Sequence, residues 1–230
     1  MLYRVISLSD YGLKTKHFDD CLKDATKTKK YNDSVLVCAK ELQTICEQSP
    51  IRVIKTIRLD LSTLTPLLSM LPSLKIVHLI RDPRATMLSQ SRAGMCSDNE
   101  GGKYGCSSRY CYRLENDVLE HETITKDYQG RISPVYYEQI ARFPLEASGK
   151  MYKFIEANYT KPVMQYVYNI TMSGAKDDCG ICSTRSNSSE HINAWKKTMP
   201  TEFIDIVEDR CHYVLKRFHY EFTKIRRFKY

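Results

Sequence analysis

The chain has 230 residues, with 35 lysines and arginines against 27 aspartates and glutamates, a net charge of +8 and nine cysteines. That length supports one α/β domain with a sizeable core. No apolar stretch approaches bilayer-spanning length, and the basic residues are spread without a nucleic-acid module signature, so nucleic acid is not expected as a partner.

In chain order, residues 1–34 are a poorly defined N-terminal segment, too polar at Met1–Gly12 for a signal peptide. Residues 13–33 carry six lysines and suit a solvated helix or loop. Val35–Gln48 reads as an amphipathic helix through Leu36, Val37, Leu42 and Ile45, with Cys38 on its apolar face as a candidate free buried thiol. Ile51–Leu59 alternates apolar and basic residues, which predicts a strand. Leu61–Leu71 predicts a short helix ended by Pro72, and Ile76–Ile80 a second strand, central and buried. Strand, helix and strand with short connections make a βαβ unit, so these two strands are expected to be parallel.

The run Lys75–Arg92 (KIVHLIRDPRATMLSQSR) is the most informative stretch. An apolar strand stops at Arg81, where open α/β sheets place their ligands. Pro83 suits the first turn of a following helix, whose free N–H groups and dipole favour an anion. Ser89 follows Arg81 by eight residues, about two helical turns, so a guanidinium and a hydroxyl can grip one phosphate. His78, inside the strand, reads as a packed histidine.

Beyond it, Met95–Ser108 is expected to be a Gly/Ser/Cys-rich loop, Arg109–Lys126 a helix, and Arg131–Tyr137 a third strand at a sheet edge because of Pro134. Leu145, Met151, Phe154 and Ile155 form a helical stripe of core type. A loop spans Ser173–Ser189. Trp195 reads as a core aromatic. Thr201–Tyr220 has apolar residues at helical spacing, and residues 221–230 form a basic tail.

These motifs together resemble the sulfotransferases that use 3'-phosphoadenosine 5'-phosphosulfate (PAPS), and IVHLIRDPRA is most similar to the Golgi carbohydrate 6-O-sulfotransferases. The resemblance runs from about Ile51 to Tyr220 and includes Tyr137, Glu138, Ala141 and Pro144 of a "YE-x-L-A-x-x-P" pattern. It implies a three-layer, P-loop-like α/β fold, with a parallel central sheet between helices. It also implies that Arg81 and Ser89 bind the nucleotide's 3'-phosphate and that Arg185 and Ser186 contact the nucleotide from the loop before Trp195. PAPS would be the co-substrate, no metal would be needed, and the acceptor would be a glycan or proteoglycan. Arg84 and Arg92 would back the phosphate site or face an acidic glycan. His219-Tyr220 stands where the family usually has Gly-Tyr.

The family's N-terminal phosphosulfate loop has no counterpart among these residues, and neither Glu41, Glu47 nor His78 stands out as a catalytic base. The chain therefore reads as a single domain over residues 1–230 that is incomplete at its N-terminus. The alternative is a non-catalytic relic that at most binds nucleotide or glycan. Nine cysteines, including Cys179-x-x-Cys182, suit disulfides in an oxidising lumen better than a zinc site. Sequons at Asn32, Asn158, Asn169 and Asn187 agree with that compartment. The resemblance places it in the Golgi, with Asn187 bare because it sits in the nucleotide loop.

Overall fold

The computed structural model describes residues 13–57, 59–96, 101–174 and 184–223. The chain divides into two compact units, residues 1–57 and 58–230. In the first, helices α1 (Leu13–Ala25) and α2 (Tyr31–Glu47) form a hairpin. A Cys21–Cys38 disulfide closes it, and Ser34 is buried with its hydroxyl donating to the Lys30 carbonyl. Cys38 is thus not a free thiol. Among the described cysteines the free one is Cys46, which is exposed.

The strand expected over Ile51–Leu59 does not form among the described residues of that range. Residues 51–57 are irregular, with Val53 81%, Ile54 86% and Ile57 73% exposed. The alternation in this segment is real, but a strand needs a partner for its backbone groups and a face to bury. Neither is present here.

The second unit is built around two parallel strands, β1 (Ile76–Ile80) and β2 (Ile132–Tyr136), in register from Ile76 opposite Ile132 to Ile80 opposite Tyr136. The parallel sheet is as expected, although β1 takes its partner from downstream. β2 has one neighbour among the described strands, an edge position that tolerates Pro134. The connection from β1 to β2 is α4 (Pro83–Arg92) and a long α5 (Gly102–Asp127). The sequence places a loop at Met95–Ser108, but α5 already begins at Gly102, and a Cys96–Cys106 disulfide ties its first turn back to the end of α4.

The faces of α5 separate two cores. Leu61, Leu68, Ile76, Ile124 and Ile132 pack beneath the sheet, with Leu61 from a short 3-10 turn (Leu61–Thr63) and Leu68 from α3 (Thr65–Met70). Met87 and Leu88 of α4 pack with Cys111, Trp195, Phe203, Val207 and Leu215. Trp195 is core, as expected. Burying each large side chain contributes about 1.5–3 kcal/mol. The other helices are α6 (Tyr137–Arg142), α7 (Pro144–Phe154), α8 (Lys161–Thr171), α9 (Ala194–Thr198), α10 (Thr201–Arg210) and α11 (His212–Arg217). The single helix expected over Thr201–Tyr220 is therefore two, broken at Cys211, whose disulfide to Cys111 bolts the break to α5.

Candidate anion site at the end of the first strand

β1 hands over to α4 through Arg81 and Asp82. Asp82 is the N-cap: its carboxylate accepts the Arg84 backbone N–H at 2.9 Å, which satisfies a donor that Pro83 at N1 leaves room for. The Asp82 backbone N–H donates in turn to Glu138 Oε1 at 2.9 Å. Glu138 Oε2 accepts the Tyr220 hydroxyl at 3.0 Å, and burial together with Glu138 pushes that phenol's pKa upward. Glu138 thereby joins the start of α6, the start of α4 and the chain end beyond α11. A cavity of about 410 Å³ lies beside it, lined in part by Tyr136, Gln139, Arg217 and Phe218, so this carboxylate keeps one open side.

Arg81 is half-buried. Its guanidinium lies over the Tyr137 ring at 4.1 Å, and its Nε is buried with no hydrogen-bond partner among the described residues. A buried donor without a partner costs about 1–3 kcal/mol. Tyr110 of α5 stands in the same place. It interacts with Thr86 and feels the Arg81 charge, and burial pushes its pKa up. Ser89 lies two turns along α4 and is exposed. At this junction the Arg84 and Asp82 N–H groups are taken by Asp82 and Glu138, so the group left to meet an anion is the Arg81 guanidinium, with the Ser89 hydroxyl exposed farther along α4.

Of the two places the sequence suggests for Arg84, burial leaves the one behind the junction. It is 2% exposed. Its Nε and Nη2 donate to the two Asp82 oxygens at 3.0 and 2.9 Å, and its Nη1 to Glu208 Oε1 and the Glu221 carbonyl at 2.7 Å. Its guanidinium also covers the Trp195 ring at 4.3 Å. Burial by itself opposes the charge, but Asp82 and Glu208 together outweigh it and raise the pKa. Arg84 is a core cation that ties Asp82 to Glu208. Arg92, in the last turn of α4, is exposed.

Arg185 and Ser186 run beside α8. The Arg185 N–H donates to the Ile170 carbonyl at 2.8 Å, and the Gly174 N–H to the Ser186 carbonyl at 3.1 Å. Both side chains are half-buried. The following turn is pinned by the Ser188 hydroxyl, which donates to the Ala141 carbonyl of α6 at 2.7 Å. The four expected residues thus come from two places, the β1–α4 junction and a strap fastened to α6 and α8. Cys179 and Cys182 lie outside the described residues. Sequence reasoning did not assign the ring under Arg81, the Glu138 clasp or Tyr110. The "YE" pair was visible as a pattern, and nothing in the sequence marks Tyr110.

His78 is packed as expected, facing α5, with its Nδ1 3.0 Å from Nδ1 of His121. One nitrogen donates and the other accepts, so the accepting ring is neutral. Burial first, and His121 second, lower the His78 pKa to about 4.

The family model described as "Sulfotransferase family" matches residues 11–161, well over half of the chain. The matched range holds Arg81, Ser89, Tyr137 and Glu138, and ends before Arg185 and Ser186. Among individual proteins, the chain is similar to carbohydrate sulfotransferase 3 of Homo sapiens, 28% identical over 171 residues, 66% of this chain and 34% of the relative. It is also similar to carbohydrate sulfotransferase 5 of Mus musculus, 30% identical over 190 residues, 74% of this chain and 48% of the relative. Carbohydrate sulfotransferase 1 of Danio rerio is 25% identical over 217 residues, 82% of this chain and 50% of the relative. The chain spans between a third and a half of the length of these relatives. On the family match, and on a strand–arginine–helix junction of the kind that its sequence led one to expect, the chain belongs to the sulfotransferase family.

Proposed function

We propose that this chain is the nucleotide-binding part of a carbohydrate sulfotransferase, which moves a sulfuryl group from PAPS to a sugar hydroxyl, at carbon 6, of a glycan or proteoglycan. The observation that carries this reading is Arg81, a half-buried cation at the end of β1 with a buried Nε that no group among the described residues satisfies. In this reading Arg81 and Ser89 hold the 3'-phosphate, and Arg185 and Ser186 close over the nucleotide from the strap. Tyr137 keeps Arg81 from collapsing onto a protein carboxylate, and Glu138 fixes the turn that carries it. When bound, the donor would supply an activated sulfuryl group: the acceptor oxygen would bond to sulfur and give up its proton to a base, as the sulfur–oxygen bond to the 5'-phosphate breaks and 3',5'-adenosine bisphosphate leaves. The work of these residues is to position and neutralise charge, which supplies most of the catalysis in group transfers of this type.

A Golgi lumenal location belongs to the same proposal. Its support is three disulfides among the described residues, which persist in oxidising compartments.

Calorimetric titration with 3',5'-adenosine bisphosphate tests the reading. The wild type is expected to bind at micromolar levels, and the Arg81→Ala/Ser89→Ala double variant to lose binding while staying folded. A folded wild type that does not bind the bisphosphate refutes it.

A further inference from the structure

The four sequons differ sharply in how the fold presents them. N-glycan transfer requires the asparagine amide and the Ser/Thr hydroxyl two residues later to be reachable from one side. Extended backbone places residues i and i+2 on one face, whereas in a helix they point about 200° apart.

Three of the four fail this requirement once the chain is folded. Asn32 is in α2, where Ser34 is buried and its hydroxyl donates to the Lys30 carbonyl. Asn169 is in α8, where the Thr171 hydroxyl donates to the Val167 carbonyl at 2.6 Å. Asn187 is the cap of a 3-10 turn. Its Oδ1 accepts both the Ser189 backbone N–H and the Ser189 hydroxyl, and its Nδ2 donates to Glu190 Oε1 at 3.0 Å.

Asn158 is different. It lies in the irregular connection between α7 and α8, in a run where Ala157 and Tyr159 are half-buried and Asn158 and Thr160 are exposed. The anchor is Tyr159. Its hydroxyl donates to the Leu145 carbonyl at 3.0 Å, its ring rests 3.4 Å from where a Cβ on Gly149 would stand, and it packs on Tyr152 with centroids 5.2 Å apart. Fastening the middle residue inward turns both neighbours outward. Thr160 is extended, with φ −86° and ψ 159°, and its side chain makes no capping bond to α8.

We infer that Asn158 is the N-glycosylation site of this chain, and that the glycan stands on the α7–α8 connection. In the transfer, Asn158 Nδ2 bonds to the anomeric carbon of an oligosaccharide carried on a lipid diphosphate. The bond from that carbon to the diphosphate oxygen breaks, the lipid diphosphate leaves, and the amide proton passes to a base of the transferring enzyme. The connection keeps its acceptor geometry through folding, whereas the helical sequons lose theirs as their helices form. The inference rests on the lumenal location in the proposed function and is independent of the nucleotide chemistry.

The test is expression of the full chain behind a cleavable secretion signal in cultured animal cells, followed by glycan removal with a peptide amidase. One mobility shift is expected, with conversion of residue 158 to aspartate in the peptide mass map. The shift should vanish in Asn158→Gln and in Thr160→Ala and persist in Thr160→Ser, Asn32→Gln, Asn169→Gln and Asn187→Gln. Lumenal wild type that shows no shift overturns the inference, as does a shift that survives Asn158→Gln. Asn158→Gln should titrate with 3',5'-adenosine bisphosphate as the wild type does, so a failed nucleotide reading shows itself separately.

Discussion

Arg84 Nη1 donates to Glu208 Oε1 across 2.7 Å, with Arg84 2% and Glu208 0% exposed, joining α4 to α10 through the core. Glu208 Oε1 also accepts the Thr223 backbone N–H, while Oε2 has no partner among the described residues. Two arginines three residues apart in Arg-Asp-Pro-Arg therefore have opposite fates. One is spent inside the fold, and the other lies half-buried over the Tyr137 ring.

Arg84→Met strands Glu208 and Asp82 in a dry environment and should cost about 3–5 kcal/mol. The Arg84→Met/Glu208→Leu pair should recover part of that loss, because it removes the stranded Glu208 charge, although Asp82, the Glu221 carbonyl and the Thr223 N–H each still lose a partner. Urea unfolding of the three proteins measures this. By contrast, Arg81→Ala should change stability by less than about 1 kcal/mol, because it also removes an unsatisfied donor.

His219 sits at φ 58°, in the left-handed region that costs an L-residue about 1–2 kcal/mol. The resemblance puts glycine here, and the backbone explains why. His219→Gly should raise stability by about 0.5–1 kcal/mol, the relief being partly offset by glycine's greater freedom when unfolded. His219→Ala should give no gain. Thermal unfolding of both variants checks the prediction.

The His78–His121 contact carries a pH dependence. In the unfolded chain His78 protonates near its ordinary value of 6.5, while the fold holds it to about 4. The unfolded state therefore binds more protons between these values, and stability present above pH 6.5 is lost as pH falls towards 4. The His121 pKa is lowered as well, by burial first, with Glu122 opposing and Arg217 assisting. The loss should reach about 2 kcal/mol, allowing for the partial exposure of His78. His78→Asn should flatten the stability curve over that window.

The Cys111–Cys211 bond closes a separation of 100 residues. The Cys111→Ala/Cys211→Ala variant should lose about 4 kcal/mol, read by denaturant unfolding. Native alkylation should label Cys46 and none of the six described cysteines in disulfides.

Much of the second unit was legible because its signals are local. Ile76–Ile80 is a short β-branched run, and Asp82-Pro83 is a helix start that needs no tertiary help. The errors came where long-range pairing decides. Residues 51–57 alternate like a strand, yet the structure gives them no ladder. Cys38 looks like a buried thiol until Cys21 is brought beside it. Arg84 could be recognised as a core cation only once Glu208, 124 residues away, was in place. At the site, Arg81 was legible from the end of its strand, while the Tyr137 ring, the Glu138 clasp and Tyr110 depend on packing that no spacing encodes.

The central claim is that Arg81 and Ser89 read a 3'-phosphate. Its most direct test compares the affinities of 3',5'-adenosine bisphosphate and adenosine 5'-monophosphate for wild type, Arg81→Ala and Ser89→Ala. A contact to a charged group contributes about 1.5–3 kcal/mol, so the wild type should prefer the bisphosphate at least tenfold. Arg81→Ala should bring that preference close to one with unfolding unchanged, and Ser89→Ala should weaken it. A folded wild type with no preference, or an Arg81→Ala protein that keeps it, would contradict the account.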